Sequence, residues 1–171
     1  MQTVHFISIL LHILAAVVWI GGMIFLGVVL VPVLRQRRGT GDYAELISRT
    51  GTRFRNVGWV CLGILVVTGF VNVGRWVDHS RLASAELWAS PWGRILAVKL
   101  AFVAVALLLS AVHDFIVGPR ATRVLREAPG SEQAGRLRRL AGRMGRANLL
   151  VAVLIVALGI MLVRGLPIFL G

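Results

Sequence analysis

The sequence predicts an all-α integral membrane protein: a single transmembrane domain over residues 1–171, folded as a four-helix up-down-up-down bundle with both termini external. Three observations carry this reading. Apolar residues make up 57% of the chain and lie in long blocks instead of recurring with a surface period. The blocks are nearly free of charge, and each approaches the roughly 20 residues that a helix needs to cross a bilayer. The arginines gather in two of the three connections, which the positive-inside rule places in the cytoplasm.

The first span, residues 4–33, lies within a stretch from Met1 to Leu34 that carries no formal charge. It lacks the basic start and small-residue cleavage pattern of a signal peptide, so it is expected to stay on the protein. Pro32 falls at its inner end, where a lost backbone hydrogen bond is tolerable. Residues 35–55 then hold six arginines against two acids. The second span, 56–76, runs outward and finishes in Asn72, Arg75 and Trp76. The next connection has only Arg75, Arg81 and Arg94 as bases, and Trp76, Trp88 and Trp92 give it the aromatic belt of a headgroup region, with Trp59 at the opposite interface. The third span, 93–118, runs inward and is expected to stop at Gly118 and Pro119. Residues 120–146, with eight arginines and two acids, carry helix on to a break at Pro129 and Gly130 and resume before the fourth span, 147–168.

The net charge of +12 therefore sits mainly on one side of the membrane. Anionic lipid headgroups are its expected partners, and leucines 125, 137 and 140 among the arginines suit an interfacial stretch. No aromatic-interleaved groove accompanies the charge, so nucleic acid is not expected. The lone Cys61 excludes an intrachain disulfide, and no CxxC or Cys/His zinc spacing occurs.

Ionisable residues within a span are functional candidates by default. At about 1.5 Å per residue from the arginine-rich ends, His12, Asn72, Lys99 and Met161 all fall roughly 22–28 Å up, in one outer layer. His113 falls roughly 7 Å up, in a separate inner layer with Asp114 and Asn148, where Arg53, Arg55 or Asn148 is the expected partner of the His113 and Asp114 pair. Lys99, Val103, Ala106, Ser110 and His113 form one helical stripe; His12, Ala16, Trp19 and Met23 form another, beside a Gly21 and Gly22 pair that allows close approach of a helix or a flat ligand. Thr68, Asn72 and Arg75 align on the second span. Plainer readings stand beside these: Lys99 snorkels to the boundary, His12 is a neutral core histidine, and the methionines fill gaps. Lys99 is nonetheless the single lysine in a chain whose other basic charges are arginine. A compact amine that reaches one partner points to an anionic group held near His12.

The residues His12, Trp19, Gly21 and Gly22 in the first span, Val67, Thr68 and Gly69 in the second, Lys99 and Leu100 in the third, and His113, Asp114, Phe115, Gly118, Pro119 and Arg120 at its end resemble membrane proteins of the copper-resistance D (CopD) type. A more distant likeness is to HemJ-type protoporphyrinogen oxidases, small four-helix proteins linked to b-type haem. After Trp19 the chain departs from the aromatic, proline and arginine arrangement expected of that second family. The first resemblance implies copper handling in the bacterial inner membrane.

Three functions follow as expectations. The first is copper uptake or tolerance, with His12, Met161 and His79 as metal ligands and His5 at the entrance. The second is a b-type haem protein or porphyrin oxidase, with His12 on the iron and Lys99, Asn72 and Arg75 toward the cofactor. The third is an accessory subunit of a larger membrane complex or a homo-oligomer. Copper and haem b both remain open, and no residue is assigned a catalytic role.

Overall fold

The computed structural model describes residues 2–35, 42–128 and 130–165, and all regular structure among them is helical. Helix α1 (Gln2–Leu34) is followed by α2 (Asp42–Val73), the short α3 (Ala85–Ala89), α4 (Pro91–Glu127) and α5 (Glu132–Arg164). Four of these, all but α3, are long and apolar enough to cross a membrane. Their starts follow from capping chemistry. Ser84, Ser90 and Ser131 each accept a backbone N–H from the first turn of α3, α4 and α5, and Pro91 occupies the first position of α4, where no N–H is missed.

Helix α1 packs chiefly on α2, and α4 chiefly on α5; α1 also meets α5, and α2 meets the basic end of α4. Within each main pair the partners run in opposite order. Ser8 and His12 meet Thr68, whereas Gly22 meets Phe54. Trp92 donates its indole N–H to the Leu162 carbonyl, Lys99 rests against Gly159, and Asn148 bonds Ser110. One end of the bundle thus carries Trp88 and Trp92, and the other carries the arginines.

The centre is built from small side chains, with Ala15, Ala106 and Ala152 buried alongside Trp19, Cys61 and Leu62. Small residues let helices approach closely where no water is present to drive them together. The outside is apolar instead: Val28, Val67, Leu108 and Leu150 are each about two-thirds exposed. Such a surface suits hydrocarbon and would be costly in water.

The helices depart from the expected boundaries in four places, the first being α2, which begins at Asp42, well before residue 56. Helix α2 ends at Val73, so Arg75 and Trp76 lie in the following turn, where the Trp76 and Val77 amides both return to the Val73 carbonyl. Gly118 and Pro119 do not stop α4. A wide π-helical turn at His113–Val117 precedes them, and proline then occupies the opening turn of the segment that continues to Glu127, where its missing N–H is tolerated. A second π-helical turn interrupts α1 at Phe25–Leu30. Helix α5 begins at Glu132, well before residue 147, because Ser131 caps it and the arginine run is itself helical. Pro129, at the expected break, and residues 166–168, at the expected end of the fourth span, lie outside the described residues.

Candidate functional site

The His12 imidazole sits 2.8 Å, through Nδ1, from the Thr68 hydroxyl oxygen on α2. That hydroxyl donates its own proton to the Ile64 carbonyl, one turn back along α2, at 2.6 Å. With the proton so committed, Thr68 can only accept, and His12 must therefore donate from Nδ1. The consequence is a fixed tautomer. Nε2 keeps the free lone pair, which is how a partner on one nitrogen prepares the other to ligate or to accept a proton. Ser8, one turn away on α1, donates to the Thr68 carbonyl at 3.4 Å and ties the same two helices together. Gly69 flanks the ring without a side chain; a Cβ there would stand 3.5 Å from His12 Cε1.

Lys99 enters the bundle from α4, half-buried. Its seat is Gly159 on α5, where a Cβ would lie 3.3 Å from Nζ. Thus α1, α2, α4 and α5 all contribute to one level of the bundle. Asn72, one turn beyond Thr68, brings a buried side-chain oxygen that has no hydrogen-bond partner among the described residues.

The remaining expected site residues sit elsewhere. Arg75 lines a shallow cleft of about 360 Å³ with Gln2, His5 and Gly74. His79 is exposed, stacked on Phe70 at 4.6 Å with Nε2 3.2 Å from the Phe70 carbonyl oxygen. Phe70 is two residues from Thr68 and so faces away from His12. Met161 stands two residues from Gly159, about 160° around α5 from the position that meets Lys99. The space beside Gly22 is filled by the Phe54 ring, so that glycine admits a neighbouring side chain and not a flat ligand, while Gly21 faces open space.

A second polar group lies toward the arginine end. His113 Nδ1 donates to Asp114 Oδ1 at 2.9 Å, and Trp59 on α2 donates its indole N–H to Asp114 Oδ2 at 3.1 Å. Neither Arg53 nor Arg55 takes the place expected of it beside this carboxylate. Arg53 is exposed and Arg55 lies over the Phe115 ring at 5.7 Å, because the indole already occupies the second oxygen. Asn148, the third expected partner, bonds Ser110 at 3.0 Å and contacts Met23 Sδ at 3.7 Å.

Sequence reasoning does not anticipate Gly159 as the seat of Lys99 or Trp59 as the donor to Asp114. An isolated glycine and an interfacial tryptophan carry no signal of that kind until the helices are paired.

Comparison with known proteins adds an independent line. A family model described as Copper resistance protein D matches residues 48–162, from early α2 to nearly the end of α5. An uncharacterized protein of Aquifex aeolicus (strain VF5) is 28% identical over 151 residues, covering 88% of this chain and 89% of its own length. No solved structure matches the chain.

Proposed function

The chain belongs to the copper resistance protein D family, a family of multi-pass proteins of the bacterial inner membrane, and from that membership we propose that it handles copper as cargo at the level of His12, Thr68 and Lys99. The observation that carries the reading is the bond of His12 Nδ1 to a Thr68 hydroxyl whose own proton goes to Ile64, which leaves the lone pair of the ring on Nε2. Imidazole suits copper among the first-row metals.

The donor set defines what kind of site this is. Among the described residues no three of His, Cys, Asp and Glu come together, and His79 lies against Phe70, off the face of His12. One imidazole beside an ammonium is not a cage for a resident ion, and the ammonium repels a bare cation. The layer therefore suits copper that passes with an anionic co-ligand, held by Lys99 while His12 contacts the metal. Lys99 then does what the first-span histidine cannot do alone.

The test compares copper accumulation and copper tolerance in cells carrying the wild type, His12→Ala, Lys99→Met and Lys99→Arg proteins at equal expression. Loss of the copper response in His12→Ala, with a strong reduction in both Lys99 variants, supports the proposal. An unchanged response in His12→Ala removes it. A Soret band in the visible spectrum of the purified protein would move His12 from copper to haem iron.

A further inference from the structure

We propose that Met23, Asn148 and His113 form a second site, in the arginine-end half of the bundle, for a soft monovalent cation of the Cu(I) class. The choice of ion rests on the copper reading above; the site itself rests on different residues. Lys99 and His113 are separated by about 20 Å along α4, so the two levels cannot share one ion.

Asn148 is 8% exposed, and its Oδ1 has no hydrogen-bond partner among the described residues. Its amide nitrogen is occupied by Ser110 Oγ at 3.0 Å and Met23 Sδ at 3.7 Å, which fixes the side chain and leaves the carbonyl oxygen as an uncompensated acceptor. A buried amide oxygen in that state is costly unless something positive or protic meets it. Met23 adds a thioether at the same place, and a thioether sulfur has lone pairs but no charge, the donor type that selects Cu(I). One helical step of three below Ser110, on the same stripe of α4, stands His113. Positions so spaced have Cβ atoms about 5–6 Å apart, within reach of one ion through an imidazole. Asp114 holds His113 by Nδ1, so Nε2 carries the free lone pair.

Charge separates the two levels. The ammonium of Lys99 stands at the His12 level, whereas a carboxylate held by two donors stands at the His113 level. Arg55, the cationic side chain seen against this part of α4, is directed onto the Phe115 ring. The Asp114 carboxylate thus offsets part of the arginine charge of this end for a cation held beside His113. The backbone is also specialised here: the π-helical turn of α1 begins two residues after Met23, that of α4 begins at His113, and both turns pack against α5. Wide turns of this kind redirect side chains and concentrate at functional sites.

The experiment uses the full chain purified in detergent under anaerobic conditions and titrated with Cu(I) as its acetonitrile complex against a colorimetric Cu(I) chelator. X-ray absorption then identifies the coordinating atoms. The proteins are wild type, His12→Ala, Met23→Leu, Asn148→Leu and His113→Ala, each checked for helicity and thermal stability. The wild type is expected to bind one tightly held Cu(I) with sulfur and nitrogen in its shell. His12→Ala should retain that ion, Met23→Leu should lose the sulfur signal and bind at least tenfold more weakly, and Asn148→Leu and His113→Ala should weaken binding similarly. Retention of affinity and sulfur signal in Met23→Leu would overturn the site, since Cys61 or another methionine would then be the sulfur source. Loss of the ion in His12→Ala alone would also overturn it while leaving the copper reading intact. Absence of Cu(I) binding by every protein, wild type included, would overturn the site, while the copper reading, which places no resident ion at His12, stands or falls on the cellular test.

Discussion

At the scale of single residues, two contacts decide most of the chemistry of the His12 level. The Thr68 hydroxyl fixes the His12 tautomer by giving its proton to Ile64 and accepting from Nδ1. Thr68→Val keeps the shape and removes the acceptor, leaving a ring N–H without a partner, at a cost of about 1–3 kcal/mol. The expected result is a roughly tenfold weaker copper response with a lower unfolding temperature, whereas Thr68→Ser retains both. Gly22 makes a second prediction. A methyl group there would run into the Phe54 ring, whereas one at Gly21 would meet open space. Gly22→Ala should therefore lower thermal stability in detergent by about 1–3 kcal/mol, and Gly21→Ala should leave it within about 0.5 kcal/mol. Asp78, in the connection between α2 and α3, supplies a pH dependence. The Ser80 backbone N–H donates to its carboxylate and holds the carboxyl pKa below the ordinary aspartate value. A lowered pKa means that the cap is fully formed at neutral pH and is lost only as pH falls through the lowered value. The protection of the Ser80 amide against hydrogen exchange, taken relative to its intrinsic rate at each pH, should be present at pH 7 and be lost below the normal aspartate range, and Asp78→Ala should abolish it at every pH.

At the scale of elements, one tryptophan ties the connection between α2 and α4 to itself, and another ties the two helices together. Trp59 donates to Asp114 from a different helix, so Trp59→Phe leaves a half-buried carboxylate oxygen without its donor. That change should destabilise the bundle by about 1–3 kcal/mol and expose Asp114, while Trp88→Phe, which loses a bond to Leu82 within the connection, should act only locally. These contacts also show what the sequence could and could not reveal. The four apolar helices were legible, because a charge-free block of spanning length must satisfy its own backbone in hydrocarbon and a helix does so within one segment. The Lys99 to His113 stripe was legible as well: Ala106 and Ser110 are buried and the other three half-buried, as the period of the helix requires. Helix ends were less so. Glycine followed by proline is a common stop, yet a π-helical turn just before the pair lets α4 run on to Glu127. The partner of each polar group was not legible, because pairing depends on which faces meet, and periodicity along one helix says nothing of the neighbour that covers it.

At the scale of the whole molecule, the bundle is polarised along its length. Arginines crowd one end, where α4 and α5 continue as basic helices beyond the apolar stretch, and three tryptophans stand at the other. Arginine excess in short connections opposes translocation, and anionic lipid on the cytoplasmic leaflet adds roughly 1 kcal/mol of attraction for each nearby basic residue. Both effects act in the same direction, so the arginine end should lie in the cytoplasm and both chain termini outside. On that orientation the His12 and Lys99 level is the first polar layer met from the exterior, and the Met23, Asn148 and His113 level is the last before the cytoplasm. Fusing alkaline phosphatase and, separately, a green fluorescent protein after Gly171 checks the arrangement: phosphatase activity without fluorescence is the expected pattern. Fluorescence without phosphatase activity would invert the bundle and with it the order of the two levels. Replacing Arg136, Arg138, Arg139 and Arg143 together by glutamine supplies the companion measurement. It removes four of the basic charges that hold this end inside, and should yield a mixed population in which both reporters score.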